Sequence, residues 1–148
     1  CRHHEKMIAV LVSHGANRVL AVSQCFKARQ LWHLGRFDEG DVWLRQAQNV
    51  PPRASVRVMA PSAEALLLAG RGDLEQAETL ALTAVARAET ETDNVWFQAH
   101  TWEDLAAVYE GAGRGDDARA ALGRAMAIWE RKGCVPCAHR ARERVALL

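Results

Sequence analysis

Apolar residues recur every three to four positions along most of this chain, a spacing that places them on one face of an α-helix. The clearest stripes are Leu74, Ala77, Ala81, Ala84 and Ala88; Val95, Ala99, Trp102, Ala106 and Tyr109; and Ala118, Leu122, Ala125 and Trp129. No segment shows a convincing alternation of apolar and polar residues, which is typical of a half-buried β-strand. The pattern therefore predicts an all-α protein.

Proline and glycine divide this helical pattern into eight predicted helices. Pro136 suits the first turn of the last helix, and Gly133 ends the helix before it. Pro61 lies inside the fourth helix, where it either kinks the helix or moves its start to about residue 61. The predicted helices span about residues 5–13, 17–34, 37–48, 54–70, 73–90, 94–112, 115–132 and 136–147, with Pro51 and Pro52 between the third and the fourth.

One arrangement of small and large residues around a glycine occurs three times. In each copy an alanine and a large apolar residue precede the glycine, and small and apolar residues follow it at helical spacing. The glycines are Gly35, Gly72 and Gly113. Glycine tolerates the positive φ that ends a helix, and the acidic residues after each glycine suit the positive N-terminal end of the next helix. The chain is therefore predicted to repeat a pair of helices joined by a tight turn.

This arrangement resembles the tetratricopeptide repeat, in which helix pairs stack side by side. The resemblance implies a right-handed α-solenoid of about three helix pairs with flanking N-terminal and C-terminal capping helices. The pairs would occupy about residues 17–50, 54–91 and 94–132, and the last capping helix about residues 136–147, within a single domain over residues 1–148. Because one pair cannot bury its own apolar face, three pairs and a cap meet the minimum needed for stability.

Residues 28–148 also resemble the C-terminal tetratricopeptide region of large bacterial ATPase regulators, many of which carry a nucleotide-cyclase or DNA-binding domain elsewhere. The matching stretches include LGRFDEGDVWLRQA, DLAAVYEGAGRGDDARAALGRAMAIWERKG and RARERVALL. The resemblance implies that the chain is a fragment of a larger signalling or transcriptional protein. The sequence contains no Gly-x4-Gly-Lys-Ser/Thr loop, which an ATPase would use to hold phosphate.

Composition and charge argue against nucleic acid and membrane as direct partners. The 148 residues carry a formal net charge of +1, without the strongly basic face that binding to phosphates requires. No apolar run approaches the roughly 20 residues of a membrane-spanning helix, and no signal peptide is evident. We therefore expect a cytoplasmic protein with a protein or peptide partner.

The four cysteines, Cys1, Cys25, Cys134 and Cys137, are interpreted as reduced thiols, because a helical chain rich in alanine and leucine needs no disulfide scaffold. Cys134 and Cys137 have the C-x2-C spacing of half a zinc site, with His139 as a third candidate ligand. The same spacing at a helix N-terminus supports redox exchange. Further zinc ligands and the βαβ context of redox motifs are both missing. We therefore expect no cofactor, and a metal-linked or redox-linked module stays an alternative.

No catalytic constellation accompanies the repeats. The serines lack a Gly-x-Ser-x-Gly motif. The adjacent carboxylates of Glu103 and Asp104 point about 100° apart on a helix, which makes them poor partners in acid–base catalysis. The sequence therefore predicts a protein that is not an enzyme.

The inner face of such a stack is built from the first helix of each pair, and we expect a peptide-binding site there. The predicted binding residues are Cys25, Arg29, Trp32, His33, Ser62, Leu66, His100, Glu103 and Glu110. A segment with apolar anchors and one or two basic side chains would suit this face, through Trp32, Leu66, Glu103 and Glu110. We therefore expect a regulatory or scaffolding module that binds a protein or peptide. The alternatives are a solvated scaffold face without a ligand and a module that self-associates as a dimer.

Overall fold

The computed structural model describes residues 6, 9–10, 17–49 and 53–148, and the described part contains seven α-helices and no β-strand. The helices are α1 (Asn17–His33), α2 (Phe37–Gln48), α3 (Ala54–Arg71), α4 (Leu74–Glu91), α5 (Val95–Gly111), α6 (Gly115–Lys132) and α7 (Val135–Leu147). Each matches a predicted helix to within one residue at either end, and the all-α prediction is confirmed. The predicted helix at 5–13 lies mostly outside the described residues, as do Pro51 and Pro52. None of the described helices is both long and apolar enough to cross a lipid bilayer.

A glycine with a left-handed backbone closes the first helix of every pair. The φ angles are 69° at Gly35, 89° at Gly72 and 70° at Gly113. In each turn the next residue donates its backbone N–H to the carbonyl five positions earlier. These bonds run from Arg36 to Leu31 (2.9 Å), from Asp73 to Leu68 (3.1 Å) and from Arg114 to Tyr109 (2.9 Å). The same helix-ending geometry therefore recurs at all three predicted glycine turns.

The helices stack as three pairs, α1–α2, α3–α4 and α5–α6, and α7 packs against α6. The first helices also pack on one another, α1 against α3 and α3 against α5. Each pair contains fully buried alanines, whose small side chains allow helices to approach closely. They include Ala28, Ala47, Ala65, Ala77, Ala81, Ala84, Ala106, Ala118 and Ala125. At Gly40 of α2 an added Cβ would lie 2.6 Å from Leu67 Cδ2 of α3, so even alanine would force Leu67 to move.

Pro61 lies within α3 without ending it, because the helix begins at Ala54 and continues to Arg71. The alternative start near residue 61 is therefore wrong. Proline has no N–H to donate to the carbonyl of Arg57, four residues earlier. Arg87 of α4 supplies a replacement donor, since its Nη1 lies 3.1 Å from that carbonyl oxygen. The proline is tolerated because the neighbouring helix satisfies the acceptor that it leaves open.

Candidate functional site

A hollow of about 680 Å³ lies between α1, α5 and α7, and we call it the central hollow. Six of the nine predicted binding residues line it: Arg29, Trp32, His33, His100, Glu103 and Glu110. The structure thus brings together predicted side chains from the first and the third helix pair. Helix α7, which the sequence presents only as a cap, completes the wall with side chains that sequence reasoning missed. These are Arg140, Ala141, Glu143, Arg144 and Leu147.

The other three predicted residues are buried. Cys25 and Ser62 have no exposed surface, and Leu66 is 1% exposed. Their expected outward orientation is wrong, because α3 packs against both α1 and α5 and these side chains are buried. Cys25 belongs to the core cluster that also contains Met59. Burial raises the pKa of the Cys25 thiol to about 12, so this thiol is neutral and inert.

Asp104 of α5 is a central residue of the site that sequence reasoning missed. Its side chain is 4% exposed and accepts hydrogen bonds from Arg29 of α1, from Nε at 2.8 Å and from Nη2 at 2.5 Å. Ser62 Oγ of α3 donates a further bond at 2.7 Å. Burial alone would lower the pKa of Arg29, but the charge and hydrogen bonds of Asp104, together with the charge of Glu103, contribute to a net raising of that pKa. Arg29 therefore stays charged, and the network ties together the first helices of all three pairs.

A signal for this network exists in the sequence. Arg29, Ser62 and Asp104 are polar residues, and each lies within one helical turn of the aligned alanine of its repeat. The side chains come from three helices that are far apart in the chain, and Arg29 and Asp104 are 75 residues apart. The sequence therefore shows that these positions are polar, but it does not show that Arg29 and Asp104 pair with each other.

His100 and Glu103 extend the network towards α6. His100 Nδ1 lies 2.9 Å from Glu103 Oε2, and Trp129 Nε1 donates to Glu103 Oε1 at 2.9 Å. Burial lowers the pKa of His100, so the imidazole is neutral at pH 7. Burial alone would raise the pKa of Glu103, but the hydrogen bonds from His100 and Trp129 contribute to a net lowering of that pKa. The carboxylate is therefore ionised, and we assign the ring proton to Nδ1, which faces it.

This assignment makes His100 Nε2 a hydrogen-bond acceptor. Nε2 is buried and has no hydrogen-bond partner among the residues that the structure describes. His100 also lines a second hollow of about 710 Å³ beside the first, which we call the aromatic slot. The slot is walled by Phe26 of α1 and by Trp96 and Phe97 of α5, with Lys132 and Arg140 at its α6 and α7 sides. The two hollows share Arg29, His100 and Arg140.

Cys134 and Cys137 form a disulfide at the start of α7. Their Cα atoms are 5.4 Å apart, within the usual range for such a bridge, because one helical turn brings the two positions together. The interpretation as reduced thiols is therefore wrong for this pair, and it holds for Cys25, which is free. Cys1 lies outside the described residues.

Metal binding gains no support from the weak candidates Cys134, Cys137 and His139. The two sulfur atoms are bonded to each other, and His139 Nδ1 lies 3.4 Å from Glu143 Oε2. Across the described ranges, no three His, Cys, Asp or Glu side chains are grouped so that they could hold a metal ion.

Comparison with known proteins agrees with the stack of glycine-closed helix pairs. Residues 21–46 and 60–83 match the family model described as tetratricopeptide repeat, and these stretches fall on the first two helix pairs. No curated protein and no solved structure gave a significant match. The resemblance to bacterial ATPase regulators is thus not confirmed. The matching segments support a tetratricopeptide repeat family for this chain, and the repeated helix pairs agree with them.

Proposed function

We propose that this chain is a non-catalytic module that binds a polypeptide segment across the central hollow, in a regulatory or scaffolding role. Tetratricopeptide repeats generally mediate protein–protein interaction. The observation that carries the proposal is the convergence of six predicted binding residues on one hollow between α1, α5 and α7. A hollow of about 680 Å³ accepts several side chains of an extended segment.

The state of the ionisable groups supports binding over catalysis. Arg29 is paired with Asp104, and His100 is bonded to Glu103. Glu110 at the edge of the hollow accepts a bond of 2.7 Å from Arg144. A carboxylate that acts as a general base needs a lone pair directed at its substrate, whereas the carboxylates of Asp104, Glu103 and Glu110 accept bonds from within the chain.

The ligand expected from the sequence changes in one respect. Leu66 is buried and Glu103 is engaged by His100 and Trp129, so neither is available to a basic segment. Apolar contact surface remains at Trp32, which is half-buried, and at Leu147, which is 86% exposed. The proposed ligand therefore places apolar side chains against Trp32 and Leu147, and specificity for basic residues loses its main support.

Selection from a displayed library of random short peptides tests this proposal. We expect enriched peptides that bind the wild-type chain and bind the Trp32→Ala variant at least about tenfold more weakly, because an aromatic anchor often dominates such contacts. Glu110→Lys should also change the affinity, because it reverses a charge that lines the central hollow and breaks the pair with Arg144. Glu130→Lys is the matched control, since Glu130 forms a similar exposed ion pair, with Arg142 on the α7 side of α6, outside the central hollow. Enriched peptides that bind all four proteins equally would remove the central hollow as the site.

Self-association is a second candidate function, favoured by apolar side chains on α7. Val135 is 75% exposed and Leu147 is 86% exposed, and apolar side chains this exposed on a terminal helix suit contact with a second copy. Sedimentation over a range of concentrations tests this candidate. A species that remains monomeric at the highest concentration would exclude it.

The cytoplasmic location expected from the sequence stays a prediction. One structural feature weighs against it, namely the disulfide between Cys134 and Cys137, because disulfides are rare in reducing compartments. A measurement of the redox state of these two cysteines in intact cells would decide between a reducing compartment, such as the cytoplasm, and an oxidising one.

A further inference from the structure

We propose that the aromatic slot binds an acidic peptide segment anchored by a tyrosine side chain. This inference rests on the proposed function and specifies its ligand, because a polypeptide that crosses the central hollow reaches the slot at Arg29, His100 and Arg140, which line both.

Aromatic rings form the walls of the slot. The centroids of Phe26 and Trp96 are 5.1 Å apart, and those of Trp96 and His100 are 4.3 Å apart in an edge-to-face arrangement. Trp96 nevertheless remains 38% exposed. An incoming aromatic ring would remove this apolar surface from water and add ring contacts of the same kind. The walls therefore favour an aromatic anchor over a small or charged one.

The charges along the slot favour an acidic segment. Lys132 and Arg140 are both exposed, and neither forms an ion pair with any residue that the structure describes. The third cation, Arg29, is neutralised by Asp104. No carboxylate lines the slot within the described part of the chain. Two cations without an ion-pair partner, in a slot that no described carboxylate lines, attract negative charge on a partner.

The nitrogen Nε2 of His100 distinguishes tyrosine from phenylalanine. His100 is 8% exposed and lines the slot, and Nε2 lacks a partner among the described residues. Because burial lowers the pKa of His100, Nε2 carries a lone pair at pH 7 and accepts a hydrogen bond. Nε2 is buried in the free chain, so a ligand must displace the partly exposed Trp96 ring beside the imidazole to reach it. A phenol hydroxyl then donates such a bond, whereas phenylalanine would leave the nitrogen unsatisfied.

The experiment uses the full chain and a displayed library of random peptides. We expect the enriched pool to share a tyrosine flanked by aspartate and glutamate. Representative synthetic peptides should bind the Lys132→Glu variant and the Arg140→Glu variant about tenfold more weakly than wild type, because each change replaces attraction with repulsion. Binding should also weaken as salt is raised.

Matched controls separate the slot from general charge. Arg131→Glu makes the same charge change in the same turn of α6, but Arg131 lines neither hollow, so affinity should stay within about twofold of wild type. Replacing the peptide tyrosine with phenylalanine, or its acids with the corresponding amides, should each cost at least about fivefold in affinity. These peptide changes leave the protein untouched, so a variant that fails to fold cannot imitate the result.

The outcomes distinguish this inference from the proposed function. Enriched peptides that lack acidic residues or lack tyrosine, and whose affinity falls with Trp32→Ala but not with Lys132→Glu, overturn the inference and leave the proposed function intact. A library without any enrichment overturns both. Equal loss of affinity with Arg131→Glu and Lys132→Glu also overturns the inference, because the effect would then come from net charge alone.

Discussion

The central hollow and the aromatic slot lie side by side, yet their charges are arranged in opposite ways. Three arginines and four carboxylates line the central hollow, and most of them are bonded within the chain, as in the pairs Arg29–Asp104 and Glu110–Arg144. The slot has two unpaired cations and no carboxylate among its described lining residues. Charges paired inside a protein stabilise its packing, whereas unpaired charges project a field towards partners. We therefore expect the central hollow to recognise a ligand through its shape and apolar contacts, and the aromatic slot to select a ligand by its charge.

The wall between the two hollows is the buried network itself. Arg29 reaches Asp104 across the stack, and Arg29 Nη2 lies 3.4 Å from His100 Nδ1. This network keeps α1 beside α5, so both hollows depend on it. Two substitutions and a change of pH test this contrast between buried and exposed charges, and they follow in order of decreasing expected effect on stability.

Replacing Asp104 with alanine should produce the largest effect. The change leaves Arg29 charged and nearly buried without its partner, and it removes the acceptor of Ser62. We expect a loss of about 3–5 kcal/mol in the free energy of unfolding, measured by urea denaturation. Asp116→Ala is the control, because Asp116 is fully exposed and pairs with Arg119 at the surface. If the two variants lost equal stability, the network would not be what holds α1 against α5.

Lowering the pH should produce a smaller loss. The groups facing His100 are Arg29 from α1 and Glu103 and Asp104 from α5, and burial lowers the pKa of His100 below its usual value of 6.5. The unfolded chain then binds a proton that the folded chain does not, so stability falls as the pH drops below about 6.5. Glu103, whose folded pKa is lowered from 4.5, adds a loss only when the pH falls below that value.

The measurement compares wild type with His100→Gln by urea denaturation from about pH 7.5 to about pH 5.5. We expect the wild-type midpoint to fall more steeply than that of the variant. His33, whose pKa burial also lowers, is present in both proteins and contributes equally to both slopes. Parallel slopes would show that His100 binds its proton equally in the folded and the unfolded chain, which would contradict the lowering of its pKa by burial.

Breaking the exposed pair at the edge of the central hollow should produce the smallest effect. Arg144 and Glu110 are 35% and 34% exposed, and exposed pairs of this kind stabilise proteins by less than about 1 kcal/mol. Arg144→Ala should therefore barely change the midpoint of urea denaturation. Arg142→Ala, which breaks a similar pair with Glu130, provides the comparison. If Arg144→Ala lowered the free energy of unfolding as much as Asp104→Ala, the distinction between the exposed ion pair and the buried one would be contradicted.

Much of the fold could be predicted because its determinants are local. Gly35, Gly72 and Gly113 end helices through their own backbone freedom, and the spacing of alanines defines the buried stripes. Pro61 marks the limit of local reasoning, since its place in α3 depends on a hydrogen bond from Arg87 in the next helix.

The candidate site was predictable only in part. The repeat frame identified the helix face that carries Arg29, Trp32 and His100. The same frame placed Cys25 on that face, although it is buried. A helical period says which residues share a face, but not how closely the next helix covers them.

By itself the sequence determined which segments are helices, where they turn and which side chains share a face, because these depend on neighbours within about one helical turn. Only the tertiary structure decided that α1 meets α5 and that Asp104 neutralises Arg29. It also decided that Lys132 and Arg140 lie beside the aromatic rings without an ion-pair partner among the described residues. These outcomes depend on distances between residues far apart in the chain. Such distances are set by the packing of the whole stack, which no single repeat encodes.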